Sequence, residues 1–265
     1  MCARRFDLWK SVLRRLCLPL FFAVLYPVCS ARESTAIKPT LTAGEIVDSM
    51  VSRNEARANA LEGYASRRVY ELQYRGFPGD RSAEIVVDVR YIAPANKQFT
   101  VVSESGSKFI IDHVLKGLLS GEQDAQEAKN RRELALTPAN YRFSFVGQEI
   151  AGERKLYVFS VTPRVKNKFA YRGKVWIDGT DFAVAKIEAE PAKNPSFWLN
   201  HTRIEEQYAK FGTFWLPVEN ISISRIRVLH GTATLKIEYG RYAVEGAPGA
   251  GEASAAGVRP DRPHD

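Results

Sequence analysis

The feature that most constrains this chain is a series of short strand-like segments running through residues 141–244. "YRFSFVGQEI", "KLYVFSVTP", "FAYRGKVWID", "FAVAKIEAEP", "WLNHTRIEEQYAK", "FWLPVENISISRIRVL" and "TATLKIEYGRYAV" follow one another, parted by turns bearing Gly, Asn, Asp or Pro. Asp178-Gly179 in "IDGTDF" sits between two of them, a strong hairpin signal, because these residue types accept the dihedrals a tight turn demands. Strands repeating roughly every 8–14 residues with short turns suit one large antiparallel sheet that curls.

Upstream the period changes twice. In "TAGEIVDSMVSRNEARANAL", Thr42 followed three residues later by Glu45 is a capping-box signature. Ile46, Val47, Met50 and Val51 then recur at helical spacing, which predicts a helix over 43–59. Three strands follow. Tyr64, Tyr70, Leu72 and Tyr74 share one parity, then Ile85, Val87, Val89 and Tyr91, then Phe99 and Val101. Short turns between them make an antiparallel meander. "SKFIIDHVLKGLLSGEQDA" restores the helical period, with Ile110/Ile111, Val114/Leu115 and Leu118/Leu119 in steps of four. It reads as an amphipathic helix that runs on through "QEAKNRREL". The expected architecture is α+β, mainly β: a curved antiparallel sheet of about ten strands. It forms an unclosed half-barrel covered by the N-terminal helix and an inserted helical lid.

The two ends read differently from the body. Residues 1–31 carry Arg4, Arg5, Lys10, Arg14 and Arg15, then the apolar run "LCLPLFFAVLYPV", then small residues near Ala31. That order is a secretory signal peptide, and its apolar run is too short for the ~20 residues of a spanning helix. Asp7, where a hydrophobic residue would follow a twin-arginine pair, favours ordinary Sec export. The expected location is the periplasm, with no integral membrane segment after cleavage. Residues 32–42 read as a linker, 43–244 as the folded domain, and 245–265, rich in Gly, Ala and Pro, as a tail too poor in apolar groups to fold. Cys2, Cys17 and Cys29 all lie before residue 32, so the mature chain has no thiol for disulfides, metal or nucleophilic work. Cys29 as a lipidated first residue is the alternative, with Val28 a poor match before it. The formal charge of +8 falls to +4 without the leader, and the charges are interspersed. Nucleic-acid binding, which needs basic clustering on one face, is not expected.

Catalytic constellations are sparse. His113, His201, His230 and His264 are widely spaced, without metal-ligand spacing. Gly106-Ser107-Lys108 reads as a strand-to-helix turn with Ser107 near the N-cap. Glu188 and Glu190 share a parity and read as a solvated face, and Glu205-Glu206 are placed in the same class. No enzyme activity, metal or cofactor is expected. What remains is the apolar and aromatic content. "KLYVFSV" carries Tyr157 and Phe159 on one parity and Leu156 and Val158 on the other. Either both faces are covered or one is a hydrophobic binding surface.

"VRYIAPANKQFTVVSESGSKFII" (89–111), "RGKVWIDGTDFAVAKIEAEP" (172–191) and "FWLPVEN" (214–220) resemble the outer-membrane lipoprotein-sorting proteins. These are the LolA/LolB-like carriers, to which RseB-type domains are related. The resemblance covers most of residues 43–244. It implies a half-barrel whose cavity accepts lipid or lipoprotein acyl chains, a monomer, and transport partners at the inner and outer membranes. Residues expected to line the cavity are Phe99, Val101, Ile110, Val114, Leu118, Trp176, Phe197, Trp198, Phe214 and Trp215. Where such carriers often have a lid-holding Arg before a Pro, this chain has Ala93. The alternatives on the same fold are an envelope-stress sensor or adaptor and a structural assembly factor.

Overall fold

A computed structural model of the protein describes residues 41–166, 170–193, 199–227 and 231–245. The leader, the tail, Phe197, Trp198, His230 and His264 lie outside these. The first element is helix α1 (Ala43–Ala60). Its N-terminus is closed reciprocally: Thr42 Oγ1 accepts from Glu45 N at 3.3 Å, and the Glu45 carboxylate accepts from Thr42 N at 2.7 Å. These bonds satisfy amides that a helix otherwise leaves without partners.

Three strands follow, β1 (Gly63–Arg75), β2 (Arg81–Ile92) and β3 (Asn96–Gly106). Gly106, at φ +88°, turns the chain from β3 into the lid; a Cβ there would sit 2.4 Å from the Ser82 carbonyl oxygen. The lid is a short helix α2 (Lys108–Ile110), a π-helical turn (Ile111–Leu115), α3 (Lys116–Ala125) and α4 (Ala128–Leu134). The helix expected to run on is thus broken after Ala125. Ser107 is the N-cap residue, but its side chain makes no capping bond. The remainder is strand after strand: β4 (Tyr141–Ala151), β5 (Arg154–Pro163), β6 (Tyr171–Asp178), β7 (Val184–Pro191), β8 (Leu199–Phe211), β9 (Phe214–Ile226) and β10 (Gly231–Glu245).

All ten strands join one sheet in the order β3-β2-β1-β10-β9-β8-β7-β6-β5-β4, antiparallel throughout. β3 and β4 are its two edges, so the sheet is open. β1 and β6 are five steps apart, about 24 Å in a flat sheet. Yet Leu72 of β1 and Tyr171 of β6 line one hollow, so the sheet curls.

Both helical elements lie on the concave face, over different arms. α1 packs Ile46, Val47 and Met50 against Tyr157, Phe159, Val175 and Ile177 on β5 and β6. The lid packs Ile110, Ile111, Leu115 and Leu119 against Tyr70, Ile85, Val87 and Ile237 on β1, β2 and β10. The double parity of β5 is resolved by cover on both faces: Tyr157 and Phe159 meet α1, while Leu156 and Val158 form an outer cluster with Trp176 and Ala185. The hairpin after Asp178 is present, with a loop longer than the Asp-Gly pair. Asp178 accepts from the amides of Thr180 (2.9 Å) and Asp181 (2.8 Å). Phe182 then folds back into the α1 core at φ 51°. A left-handed backbone costs a bulky residue about 1–2 kcal/mol, offset here by burying the ring.

Candidate functional site

Two helices about 10–12 Å wide cannot cover ten strands spaced about 4.8 Å apart. Over the middle of the concave face, at β8 and β9, lies a hollow of about 980 Å³. That volume is at the upper end of the range for ligand sites.

Its walls follow from strand register. On β8, Thr202, Ile204 and Glu206 face inward; on β9, Asn220, Ser222 and Ser224 do. Ile204 stands opposite Ser222, and Glu206 opposite Asn220. Thr202 and Ser224 share a hydroxyl hydrogen bond of 2.8 Å. Both flanking strands are aliphatic at the matching positions. Ile187 and Ala189 of β7 neighbour Glu206 and Ile204; Leu235 and Ile237 of β10 neighbour Ser222 and Asn220. A polar ribbon two strands wide therefore runs along the floor of an apolar trough, and Ile110, Val114 and Leu118 of the lid form its roof.

The two ends of the trough differ. One end lies by the β1–β2 turn, where exposed Pro78 and Phe109 line it. At the other end a charged cluster joins lid to sheet. Glu122 of α3 accepts from Arg68 Nη1 (2.9 Å), Lys97 Nζ (2.7 Å) and the Tyr70 hydroxyl (2.7 Å). Arg68 is 1% exposed, and the ring of Tyr239 lies 4.6 Å from its guanidinium carbon. Burial works to raise the Glu122 carboxyl, but Lys97 and Arg68 more than offset it and hold it below the usual carboxylate range. Burial pushes the Lys97 ammonium down.

Glu206 is in the opposite condition. Burial pushes its carboxyl up, against hydrogen bonds from Tyr208 and Asn220 and the charge of Lys97, and the nearby Glu122 charge adds to the rise. No cation lies within ion-pair distance of Glu206 among the described residues. Its partly exposed surface opens on the hollow. The reading of Glu205 and Glu206 as one solvated pair is corrected here. Neighbours on a strand point to opposite faces, so Glu205 meets Lys186 outside at 2.9 Å while Glu206 faces in. Glu188 and Glu190 do lie on the outer face, paired with Lys186 and Arg172.

The cavity residues expected from the sequence are dispersed. Ile110, Val114 and Leu118 line the large hollow. Phe99 packs beside the lid core, and Val101 is partly exposed on edge strand β3. Trp176 is on the outer face, donating from Nε1 to Glu149 Oε2 at 2.8 Å. Phe214 belongs to a cluster with Phe211, Leu216 and Tyr242, and with Trp215 lines a second, smaller hollow of about 320 Å³ under α1. Tyr171 and Ile187 are common to the two hollows. Phe197 and Trp198 are outside the described residues. The sequence reading missed Arg68, Glu122, Glu206 and the serines of β9. The signal for Arg68 was available: it shares the parity of Tyr64, Tyr70 and Leu72 on β1.

Ala93 stands where the resemblance implied a lid-holding Arg. The lid supplies one from its own side: Arg131 of α4 donates to the carbonyl of the adjoining Pro94.

No family model matches the chain, and no curated protein matches it. Among solved structures it is similar to a DUF1329 family protein from Desulfovibrio piger, at 12% identity over 76% of this chain and 92% of that one, TM-score 0.39. A LolA superfamily protein from Nitrosomonas europaea is similar at 9% identity over 76% and 94%, TM-score 0.33. The MucA/MucB complex of Pseudomonas aeruginosa contains a chain similar at 12% identity over 72% and 93%, TM-score 0.24. The structure neighbours thus include DUF1329, LolA superfamily and MucB proteins.

Proposed function

We propose that this protein is an exported periplasmic carrier that binds lipid or lipoprotein acyl chains in the large hollow and hands them between membrane partners without chemical change. The supporting observation is the hollow itself: about 980 Å³ between sheet and lid, with aliphatic flanks and roof. Burying a methylene is worth about 0.8 kcal/mol, so a chain of about a dozen methylenes gains on the order of 10 kcal/mol before ordering costs. The leader reading of residues 1–31 places this work in the periplasm. No helix among the described residues is long and apolar enough to cross a membrane.

The test is native mass spectrometry of protein purified from periplasm without detergent, beside a delipidated control. A mass excess that organic extraction yields as phospholipid or acylated peptide is the expected result. A bare mass, with no later uptake of a fluorescent fatty acid, would remove the carrier reading.

One observation favours a protein-binding adaptor as the second reading. Among the described residues β3 pairs only with β2 and β4 only with β5, and these edge strands expose Val101 and Val102 on β3 and Phe145, Val146 and Ile150 on β4. An extended segment of a partner adds to such an edge through main-chain hydrogen bonds.

A further inference from the structure

The ribbon on the floor of the hollow adds something that an acyl-chain carrier does not require. A trough for hydrocarbon alone is best lined by hydrocarbon, since a polar group kept from water without a full set of partners costs free energy. Here β8 and β9 place hydroxyls, an amide and a carboxyl on the inward parity, interrupted by Ile204 and Ile226, while Ile187 and Ala189 of β7 and Leu235 and Ile237 of β10 are aliphatic on either side. The Thr202 and Ser224 hydroxyls at one end of the ribbon satisfy each other. Glu206, further along, has no ion-pair partner among the described residues, and the Lys97 charge reaches it only through space.

The groups around Glu206 set its demands. Lys97 and Arg68 are the cations at that end, and both are in contact with Glu122. Tyr208 and Asn220 give Glu206 neutral hydrogen bonds, and Tyr171 and Tyr239 contribute uncharged phenols nearby. A carboxyl has about four acceptor sites, more than these two neighbours fill. Its open side is the hollow.

Resting on the carrier reading, we propose that the hollow selects amphiphiles whose polar end donates hydrogen bonds, a hydroxyl or an ammonium, and that Glu206 receives that end while the chain lies along the aliphatic flanks. A ligand carboxylate placed there would bring a second negative charge against Glu206 with Glu122 close by. It would also offer no donor. An ammonium adds an ion pair to its hydrogen bond with the carboxylate, whereas a hydroxyl supplies the hydrogen bond alone.

The experiment uses chains of equal length that differ only in the head: dodecylamine, 1-dodecanol and dodecanoate. Each displaces N-phenyl-1-naphthylamine, an uncharged apolar dye, from the delipidated protein at neutral pH. The amine is expected to bind at least about tenfold tighter than the carboxylate, about 1.4 kcal/mol, with the alcohol between them. Glu206→Gln should bring amine and carboxylate within about threefold of the alcohol. Asn220→Asp, which sets a second carboxyl opposite the first, should widen the preference for the amine. Each variant is compared through its own dye affinity, so a folding defect appears as loss of dye binding. Dodecanoate binding as tightly as the amine to the unaltered protein would overturn the selectivity. So would an amine-to-carboxylate ratio unmoved in both variants. Either result leaves the carrier reading standing, whereas failure of the dye and all three chains to bind removes that reading first.

Discussion

The arm of the sheet under α1 and its middle at β8 and β9 are built from the same alternating strands, yet they end in opposite states. Under α1, Phe159, Val175, Ile177, Ile46 and Met50 are all fully buried. In the middle, Ile204, Glu206, Asn220 and Ser222 remain partly exposed toward the hollow. The difference is cover. An amphipathic helix packs its apolar stripe directly onto one arm, whereas among the described residues the lid roofs the middle across a hollow. One region is packed solid and the other keeps a hollow.

That contrast can be broken most sharply by truncation. Phe159→Ala should cost about 3–5 kcal/mol, the range for a fully buried aromatic whose loss leaves a cavity. Ile204→Ala, facing space that already exists, should cost under about 1.5 kcal/mol. Urea unfolding midpoints read both. Equal losses would mean that the middle is packed core after all.

The charged cluster at the inner margin of the lid is intermediate. Glu122→Ala leaves buried Arg68 without its counter-ion and should cost about 3 kcal/mol. Because the folded-state value of Glu122 lies below the ordinary one, its contribution is present above the ordinary carboxylate range and is lost as pH falls through the lowered value. Melting temperatures of wild type and Glu122→Gln should therefore converge on acidification. Parallel curves would show that the cluster does not carry the lid's stability.

Glu206 should give the smallest effect and the opposite sign. Its folded-state value is raised, so stability is full below the ordinary carboxylate range and declines as pH climbs toward the raised value. Glu206→Gln should flatten that decline without shifting the acid limb. A slope unchanged by the substitution would mean that the carboxyl is solvated as an exterior residue would be.

Much of this was legible before any coordinates. Thr42 and Glu45 announced the start of α1, and the spacing of Ile46, Val47 and Met50 gave the face it buries. The apolar pairs of 110–119 marked the lid. Trp176 misdirected the reading, because an aromatic at a strand position is equally at home on either face of a sheet. Trp176 chose the outer one through its bond to Glu149. Adjacent Glu205 and Glu206 carried a signal of their own, since two neighbours on one strand cannot share a face.

The sequence by itself determined the periods, the caps, the number of strands and the open meander, because each rests on local dihedral preferences and on short-range alternation. Only the tertiary structure decided which parity faces inward at β8 and β9, that both cations of the lid cluster go to Glu122, and that a hollow stays between the lid and the middle of the sheet. Those outcomes depend on how far ten strands curl and on how little width two helices can cover, and neither quantity is written in any short stretch of residues.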